Sequence, residues 1–156
     1  SSSIIMSIVV FAGIFSWAAS TTGMIDGMTH WILKVSPNAL LTILLINGLL
    51  LVLGMFLDAI SISYLIMPVL LPVLRAFGLD PVWYGVVFIT ALAIGQITPP
   101  VGVNLATVAG IADTEIDAVS RHLLPYIAVN IVVLVILTVF TSLSLYLPVK
   151  AGLYTP

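Results

Sequence analysis

The sequence contains no cysteine and very few charged residues, and each absence excludes a class of protein. Without cysteine, the chain cannot be a disulfide-stapled secreted module or use a thiolate metal site or a nucleophilic thiol. Only 6% of its 156 residues are charged, whereas soluble chains carry roughly 25%. Four Lys+Arg residues cannot form the basic patch that a nucleic-acid binder needs.

What the sequence does contain is apolar. Hydrophobic residues make up 62% of the chain, and ten charged residues, six of them acidic, cannot cover a water-facing surface. Most of the surface must therefore face lipid or other apolar protein. The composition predicts an integral membrane protein that is not an enzyme with a soluble catalytic domain.

The first third of the chain predicts one span and one interfacial helix. It opens at Ser1 without the basic region or cleavage site of a signal peptide, and we expect it to be the C-terminal part of a larger permease. Residues 1–20 are predicted to form a transmembrane helix around the apolar run Ile4–Ala19. Residues 21–36 are predicted to form an amphipathic arm helix in the interface of the lipid bilayer, because polar residues recur there every four positions. These are Asp26, His30 and Lys34.

Residues 37–78 form a long apolar stretch that Asp58 interrupts near its middle. Each half has about 15 residues, fewer than the roughly 20 that a full span needs. We therefore predict a re-entrant helical hairpin with its tip at Gly54–Ser61, and two full spans joined by a short loop are the alternative. Pro68 and Pro72 further weaken the second half as a regular lipid-exposed helix.

Residues 79–111 are predicted to form a discontinuous transmembrane helix that is broken at residues 98–102. Pro99 and Pro100 lack N–H groups, and each disfavours helical geometry in the residue before it. Irregular backbone at membrane depth is tolerated where protein or a water-filled cavity covers it. A plain loop between two spans is the alternative.

The remainder of the chain predicts a solvated segment and a last span. Residues 112–124 hold three of the six acids and are predicted to be a surface connector with a helix capped by Asp113 or Thr114. Residues 125–148 are predicted to form a transmembrane helix bounded by prolines, and residues 149–156 a tail. Upstream, Asn47 is expected to make a helix–helix hydrogen bond.

The two interruptions predict where an ion could bind. A helix broken in a membrane exposes carbonyl groups at one end and N–H groups at the next, which suit a cation and an anion respectively. Glycine at positions 95 and 102 allows close approach of backbone carbonyls. The side chains nearby carry hard oxygen donors that suit Na⁺ better than a transition metal. They are Asp58, Ser61, Thr98 and Asn104.

These residues carry a resemblance to a known family. The string Gly95-Gln96-Ile97-Thr98-Pro99-Pro100-Val101-Gly102, followed by Asn104-Leu105, resembles the signature of a transporter subunit. This is the large membrane subunit, DctM-like, of tripartite ATP-independent periplasmic (TRAP) transporters. Gly54-Met55-Phe56-Leu57-Asp58 and Gly78-Leu79-Asp80-Pro81 resemble the preceding hairpin of the same family.

The resemblance implies a fold and a site. The fold is all-α and integral to the membrane, and this chain would be the second inverted repeat of an elevator-type ion transporter. The resemblance implies a Na⁺ site between hairpin tip and helix break, on Gly54, Gly95, Thr98 and the carbonyl of Val101. It also implies substrate or tip contacts, on Asp58, Ser61, Pro99, Pro100, Gly102 and Asn104.

The implied activity is sodium-coupled uptake of an organic acid, such as a C4-dicarboxylate, sialic acid or a similar carboxylate. A periplasmic substrate-binding protein would deliver the acid, and Na⁺ would be the coupling ion, with no other cofactor. The further partners would be a small TRAP membrane subunit and the missing N-terminal part of the same subunit. The location would be the bacterial inner membrane, as a multi-pass protein.

Three other functions are alternatives to this one. A single-component Na⁺/dicarboxylate symporter or antiporter of the same superfamily would need no binding protein. An intramembrane hydrolase is disfavoured, because the chain has neither a Gly-x-Ser-x-Gly elbow nor a second buried acid for an aspartyl dyad. A purely structural subunit is disfavoured by the two polar interruptions.

Overall fold

The computed structural model describes residues 2–35 and 38–154, and within them the chain is helical, with no strand. The prediction of an all-helical chain is confirmed. The predicted boundary between residues 36 and 37 lies outside the described residues. The helices are α1 (Ser2–Thr21), α2 (Met24–Val35), α3 (Ala39–Gly54), α4 (Ala59–Ala76), α5 (Pro81–Gln96), α6 (Val103–Ile111), α7 (Ile116–Val139) and α8 (Thr141–Lys150).

The apolar character of the helices agrees with a membrane protein. Among the described residues, α4 and α7, with 18 and 24 residues, are long and apolar enough to cross a membrane by length and composition. Two further apolar helices, α3 and α5, have 16 residues each. A straight helix of 16 residues is about 24 Å long, shorter than a hydrocarbon core of roughly 30 Å.

Three helices begin at capping side chains that the sequence places there. Asn38 accepts hydrogen bonds from the backbone N–H groups of Leu40 and Leu41 at the start of α3. Asp58 and Asp80 accept equivalent bonds at the starts of α4 and α5. Each such cap contributes about 0.5–2 kcal/mol, because it satisfies N–H groups that have no partner inside the helix.

Helix α4 continues through Pro68 and Pro72. Each proline removes one N–H group from the helix ladder, so the weakening expected from them amounts to lost hydrogen bonds and not to a break. The two halves of the predicted hairpin share few contacts with each other. Helix α3 packs mainly on α5, whereas α4 packs on α1, α2 and α5. The re-entrant arrangement itself stays a prediction.

The C-terminal third differs from the predicted boundaries at residues 112–124 and 125–148. Helix α7 begins at Ile116, with Glu115 in place of Asp113 or Thr114 at its N-terminal boundary, and it continues through Pro125. It ends at Val139, and Pro148 lies inside α8. A proline removes only one hydrogen bond, so neither of the two ends a helix here. Helices α7 and α8 are separated instead at Phe140, with φ −101° and ψ 79°.

Helix α5 is the centre of the molecule. It packs against α3, α4, α6, α7 and α8. A helix that is apolar on all sides is stable only when other elements surround it, and much of α5 is buried. Its buried side chains are Trp83, Tyr84, Val87, Phe88, Ala91, Leu92 and Ile94.

A chain of buried polar side chains joins α5 to its two neighbours. The hydroxyl of Tyr84 donates to Oδ1 of Asn47 at 2.9 Å, and Nδ2 of Asn47 donates to Oγ1 of Thr138 at 3.1 Å. All three residues are buried. The predicted helix–helix hydrogen bond of Asn47 is therefore confirmed, and it links α3 to both α5 and α7.

The C-terminal tail is attached at the start of α5. The hydroxyl of Tyr154 donates to Oδ2 of Asp80 at 2.8 Å, while Oδ1 of Asp80 caps the helix. One carboxylate thus serves both as the cap of α5 and as the anchor of the tail.

Helices α3 and α5 approach so closely at one point that only glycine fits on either side. A Cβ atom on Gly95 would lie 2.8 Å from the Cα of Gly54 and 2.8 Å from the carbonyl oxygen of Leu51. A Cβ atom on Gly54 would lie 3.0 Å from the Cα of Gly95. Backbone atoms cannot swing aside as a side chain can, so substitution at Gly95 must separate the two helices.

Replacing Asn47 should destabilise the protein, because it removes the acceptor of a buried hydroxyl. We expect Asn47→Leu to lower the free energy of unfolding by about 1–3 kcal/mol, the usual cost of an unsatisfied buried polar group. Thermal unfolding of the complete subunit in detergent measures this. Asn130→Leu is the control, since the exposed Asn130 amide bonds only to the Tyr126 carbonyl nearby. Equal effects of the two substitutions would contradict the role given to the buried chain.

The glycine contact predicts opposite effects for two alanine substitutions in α5. Gly95→Ala should destabilise by about 1–3 kcal/mol, the typical cost of overpacking. Gly85→Ala, where a Cβ meets nothing within 4 Å, should stabilise by up to about 1 kcal/mol through helix propensity. Thermal midpoints of the two variants, compared with the parent, test the contact. Stabilisation by both would show that α3 and α5 can separate freely.

Candidate functional site

Two non-helical segments meet at one end of the α3–α5 pair. The first, which we call the tip, is Met55–Asp58 between α3 and α4, and the second, which we call the break, is Ile97–Gly102 between α5 and α6. The backbone N–H of Gly102 donates to the carbonyl of Met55 at 2.9 Å. A main-chain hydrogen bond therefore fastens the break to the tip, directly beside the contact of Gly54 with Gly95.

The end of α5 is closed by Thr98. Its backbone N–H donates to the carbonyl of Gly95 at 3.0 Å, and its hydroxyl donates to the carbonyl of Ile94 at 2.6 Å. The peptide bond between Pro99 and Pro100 is cis. With its proton directed to Ile94, the Thr98 hydroxyl presents only lone pairs to any further partner.

Gly102 allows the break to fold back on itself. Its φ is +47°, a conformation that strongly favours glycine. A Cβ atom there would lie 2.8 Å from the carbonyl oxygen of Gln96 and 3.0 Å from that of Thr98. Two carbonyl oxygens thus close around a position that must stay free of a side chain.

Helices α5 and α6 are also joined by a side-chain hydrogen bond. Nδ2 of Asn104, in the first turn of α6, donates to Oε1 of Gln96, the last residue of α5, at 2.9 Å. Sequence reasoning did not single out the Gln96 side chain or the Met55 carbonyl. The position of Gln96 inside the quoted motif was a signal for the first, whereas a backbone acceptor such as Met55 leaves no trace in residue type.

Asp58, the last residue of the tip, and Ser61, in the first turn of α4, are hydrogen-bonded to each other. Oδ2 of Asp58 accepts from the N–H of Ser61 at 2.9 Å, and Oδ1 accepts from the Ser61 hydroxyl at 2.6 Å. Both bonds are local to the start of α4, which they cap. Asp58 is exposed and Ser61 half-buried.

The structure thus brings some of the predicted site residues together and leaves others apart. Gly54, Gly95 and Gly102 converge through their backbones, and Thr98 lies between the last two. The side chain of Val101 is 43% exposed. Pro100 is exposed and Pro99 half-buried. The ligand and substrate roles given to all these residues stay predictions.

The missing side chain of Gly95 has a packing role that the sequence did not reveal. The sequence suggested that Gly95 admits an ion to a carbonyl, but its missing side chain admits the backbone of α3. A Cβ on Gly95 would meet Gly54 and Leu51 before any ion. At Gly102 two carbonyl oxygens do approach the position of a side chain, and the ion role expected of Gly95 stays a prediction.

The sequence matches one family over most of its length. The family model described as "Tripartite ATP-independent periplasmic transporter, DctM component" matches residues 1–143. The chain is 36% identical over 135 residues to the sialic acid TRAP transporter large permease protein SiaM of Vibrio cholerae, a match that covers 86% of this chain and 32% of SiaM.

Two further relatives agree. The chain is 38% identical over 114 residues to the isethionate TRAP transporter permease protein DctMQ of Oleidesulfovibrio alaskensis, covering 73% of this chain and 18% of that protein. It is 28% identical over 149 residues to the C4-dicarboxylate TRAP transporter large permease protein DctM of Pseudomonas aeruginosa, covering 96% and 35%. The chain therefore spans about a third or less of the length of these curated relatives, which are transporter permeases and not enzymes. It belongs to the DctM component family of tripartite ATP-independent periplasmic transporters.

Proposed function

We propose that this chain is an ion-coupled part of a membrane permease that takes up an organic acid together with Na⁺. The observation that carries the proposal is the junction of tip and break, where the Gly102 N–H bonds to the Met55 carbonyl beside the contact of Gly54 with Gly95. Breaks in membrane helices are typical of the midplane sites of secondary transporters. A junction of two such segments places their oxygen atoms within reach of one ion.

The oxygen atoms at this junction suit a hard cation. The carbonyls of Gln96 and Thr98 converge near Gly102. The Thr98 hydroxyl donates a hydrogen bond to the Ile94 carbonyl, so its lone pairs can face a cation. We assign Na⁺ to Gly54, Gly95, Thr98 and the Val101 carbonyl. In that assignment Gly54 and Gly95 act through their backbones, by allowing α3 and α5 to meet.

The N-terminal end of α6 supports an anionic substrate. Gly102 has no side chain with which to cap α6, so the first N–H groups of that helix are left for another acceptor. The relatives are named for sialic acid, isethionate and C4-dicarboxylate, and we propose an organic acid of this kind here. The proposed substrate or tip contacts are Asp58, Ser61, Pro99, Pro100, Gly102 and Asn104.

The proposed mechanism couples the two ligands by charge. Na⁺ at the junction would offset the negative charge of the acid and keep the tip closed on the break, after which the repeat would move across the inner membrane as a unit. The amphipathic α2 would act as an arm lying at the lipid interface. We propose that a periplasmic substrate-binding protein delivers the acid, and that a small membrane subunit and the preceding part of the same subunit complete the multi-pass transporter. Family membership supports this arrangement over a single-component Na⁺/dicarboxylate symporter or antiporter.

Loss of the Thr98 hydroxyl should weaken sodium coupling. We expect Thr98→Val, in a complete transporter in proteoliposomes, to raise the Na⁺ concentration for half-maximal uptake by roughly 10- to 100-fold, the scale on which metal sites respond to a lost partner. The measurement is uptake of the acid against a Na⁺ series. Thr107→Val is the matched control, because the Thr107 hydroxyl bonds to the Val103 carbonyl in the same way but on the exposed side of α6.

An unchanged Na⁺ series for Thr98→Val would remove Thr98 from the ion site. Gly95→Val is a poorer test of the same site. It pushes α3 and α5 apart, so loss of uptake in that variant would not separate ion binding from packing.

A further inference from the structure

We propose that the side-chain amides of Gln96 and Asn104 form a clamp across the break that sets the affinity of the junction for Na⁺. The two are positioning residues, which act on the ion through the backbone that they hold. This inference rests on the proposed function, because it concerns the ion site assigned there. Its starting point is the hydrogen bond of 2.9 Å from Nδ2 of Asn104 to Oε1 of Gln96.

The position of the pair gives the bond its effect. Gln96 is the last residue of α5 and Asn104 lies in the first turn of α6, so one bond spans the whole break. The chain between them contains two prolines in succession and a glycine with positive φ, and it makes its own contact with the tip at Met55. The hydrogen bond between the two side-chain amides therefore fixes the distance between the end of α5 and the start of α6, independently of the backbone of the break.

Gln96, whose side chain forms the clamp, also carries one of the two backbone carbonyls that lie close to Gly102. The backbone oxygen of Gln96 and that of Thr98 both approach the position of a Cβ on Gly102, at 2.8 and 3.0 Å. Carbonyl oxygens with the same partial charge repel one another when no cation lies between them. A side-chain bond that keeps the ends of α5 and α6 together offsets this repulsion before Na⁺ arrives, and preorganisation of this kind raises affinity.

The test uses the complete transporter and two readouts. The first is uptake against a Na⁺ series, from which the half-saturating Na⁺ concentration, the maximal rate and the KM for the acid are obtained. The second is the thermal midpoint in detergent with NaCl and with choline chloride, since an ion that binds the folded state raises the midpoint. The variants are Gln96→Ala, Asn104→Ala, and the two combined. Asn130→Ala, an exposed amide on α7 with a local bond to Tyr126, is the control.

We expect each single variant to raise the half-saturating Na⁺ concentration by about 2- to 10-fold, the scale of one net hydrogen bond. The combined variant should show no further increase, because the second substitution removes a partner that is already lost. The midpoint in choline should stay near the parent value, while the stabilisation by NaCl becomes smaller. The control should behave as the parent does.

An exchange variant gives a second test that retains both amides. Gln96→Asn alone shortens the pair by one methylene, whereas Gln96→Asn combined with Asn104→Gln restores the total length. We expect the exchange to recover most of the Na⁺ affinity that Gln96→Asn loses. This comparison stands even if an alanine variant fails to accumulate in the membrane.

Several outcomes would overturn the clamp. If the effects of the two alanine substitutions multiply, the residues act separately. If only Asn104→Ala raises the KM for the acid, Asn104 belongs to the substrate contacts named in the proposed function and not to the clamp. Equal losses of thermal midpoint in NaCl and choline would leave the pair a merely structural role. A sodium-dependent parent with unchanged variants overturns the clamp alone, whereas a parent that ignores Na⁺ in both readouts overturns the proposed function and the clamp with it.

Discussion

The backbone contact between α3 and α5 is the constraint on which the candidate site depends. Where Gly54 meets Gly95, each helix brings a non-helical segment of the chain to the same place. Because the contact lies at the last turn of both helices, the tip and the break begin side by side. The bond between Gly102 and Met55 can then form over 2.9 Å. A bulkier residue at either glycine would separate two segments that are far apart in sequence.

The site built on this contact is made largely of uncharged oxygen atoms. Its main-chain carbonyls and the Thr98 hydroxyl carry partial charges only, and Asp58 is engaged with Ser61 in a helix cap. Burying a full charge in an apolar environment costs far more than burying a dipole. The proposed ion site, being made from neutral groups, would therefore be compatible with an apolar surrounding both with and without its ion.

The sequence allows much of the helical fold to be predicted, but not its packing. Long apolar runs indicate the helices and two adjacent prolines mark the break, whereas the capping roles of Asn38 and Asp80 emerge from the structure. The passage of α7 through Pro125 and its end near Phe140 could not be foreseen, because a proline costs one hydrogen bond and tertiary contacts decide whether that cost is met. A glycine in the sequence also does not indicate which helix packs against it. The packing of α3 on α5, and not on α4, could therefore not be predicted from the sequence.

The site was predictable to a similar degree. The motif from Gly95 to Gly102 points to an irregular segment of unusual composition, and its glycines are placed where the structure needs them. The hydrogen bond of Gln96 with Asn104 depends on how the chain between them turns. That path is a three-dimensional property, which residue types alone do not specify.

The bond from Gly102 to Met55 has a consequence for how members of this family can diverge. It uses main-chain atoms on both sides, so replacing the Met55 side chain leaves the acceptor in place. The residue type at position 55 can thus change without removing the acceptor, so the joint between the two segments places no requirement on that side chain.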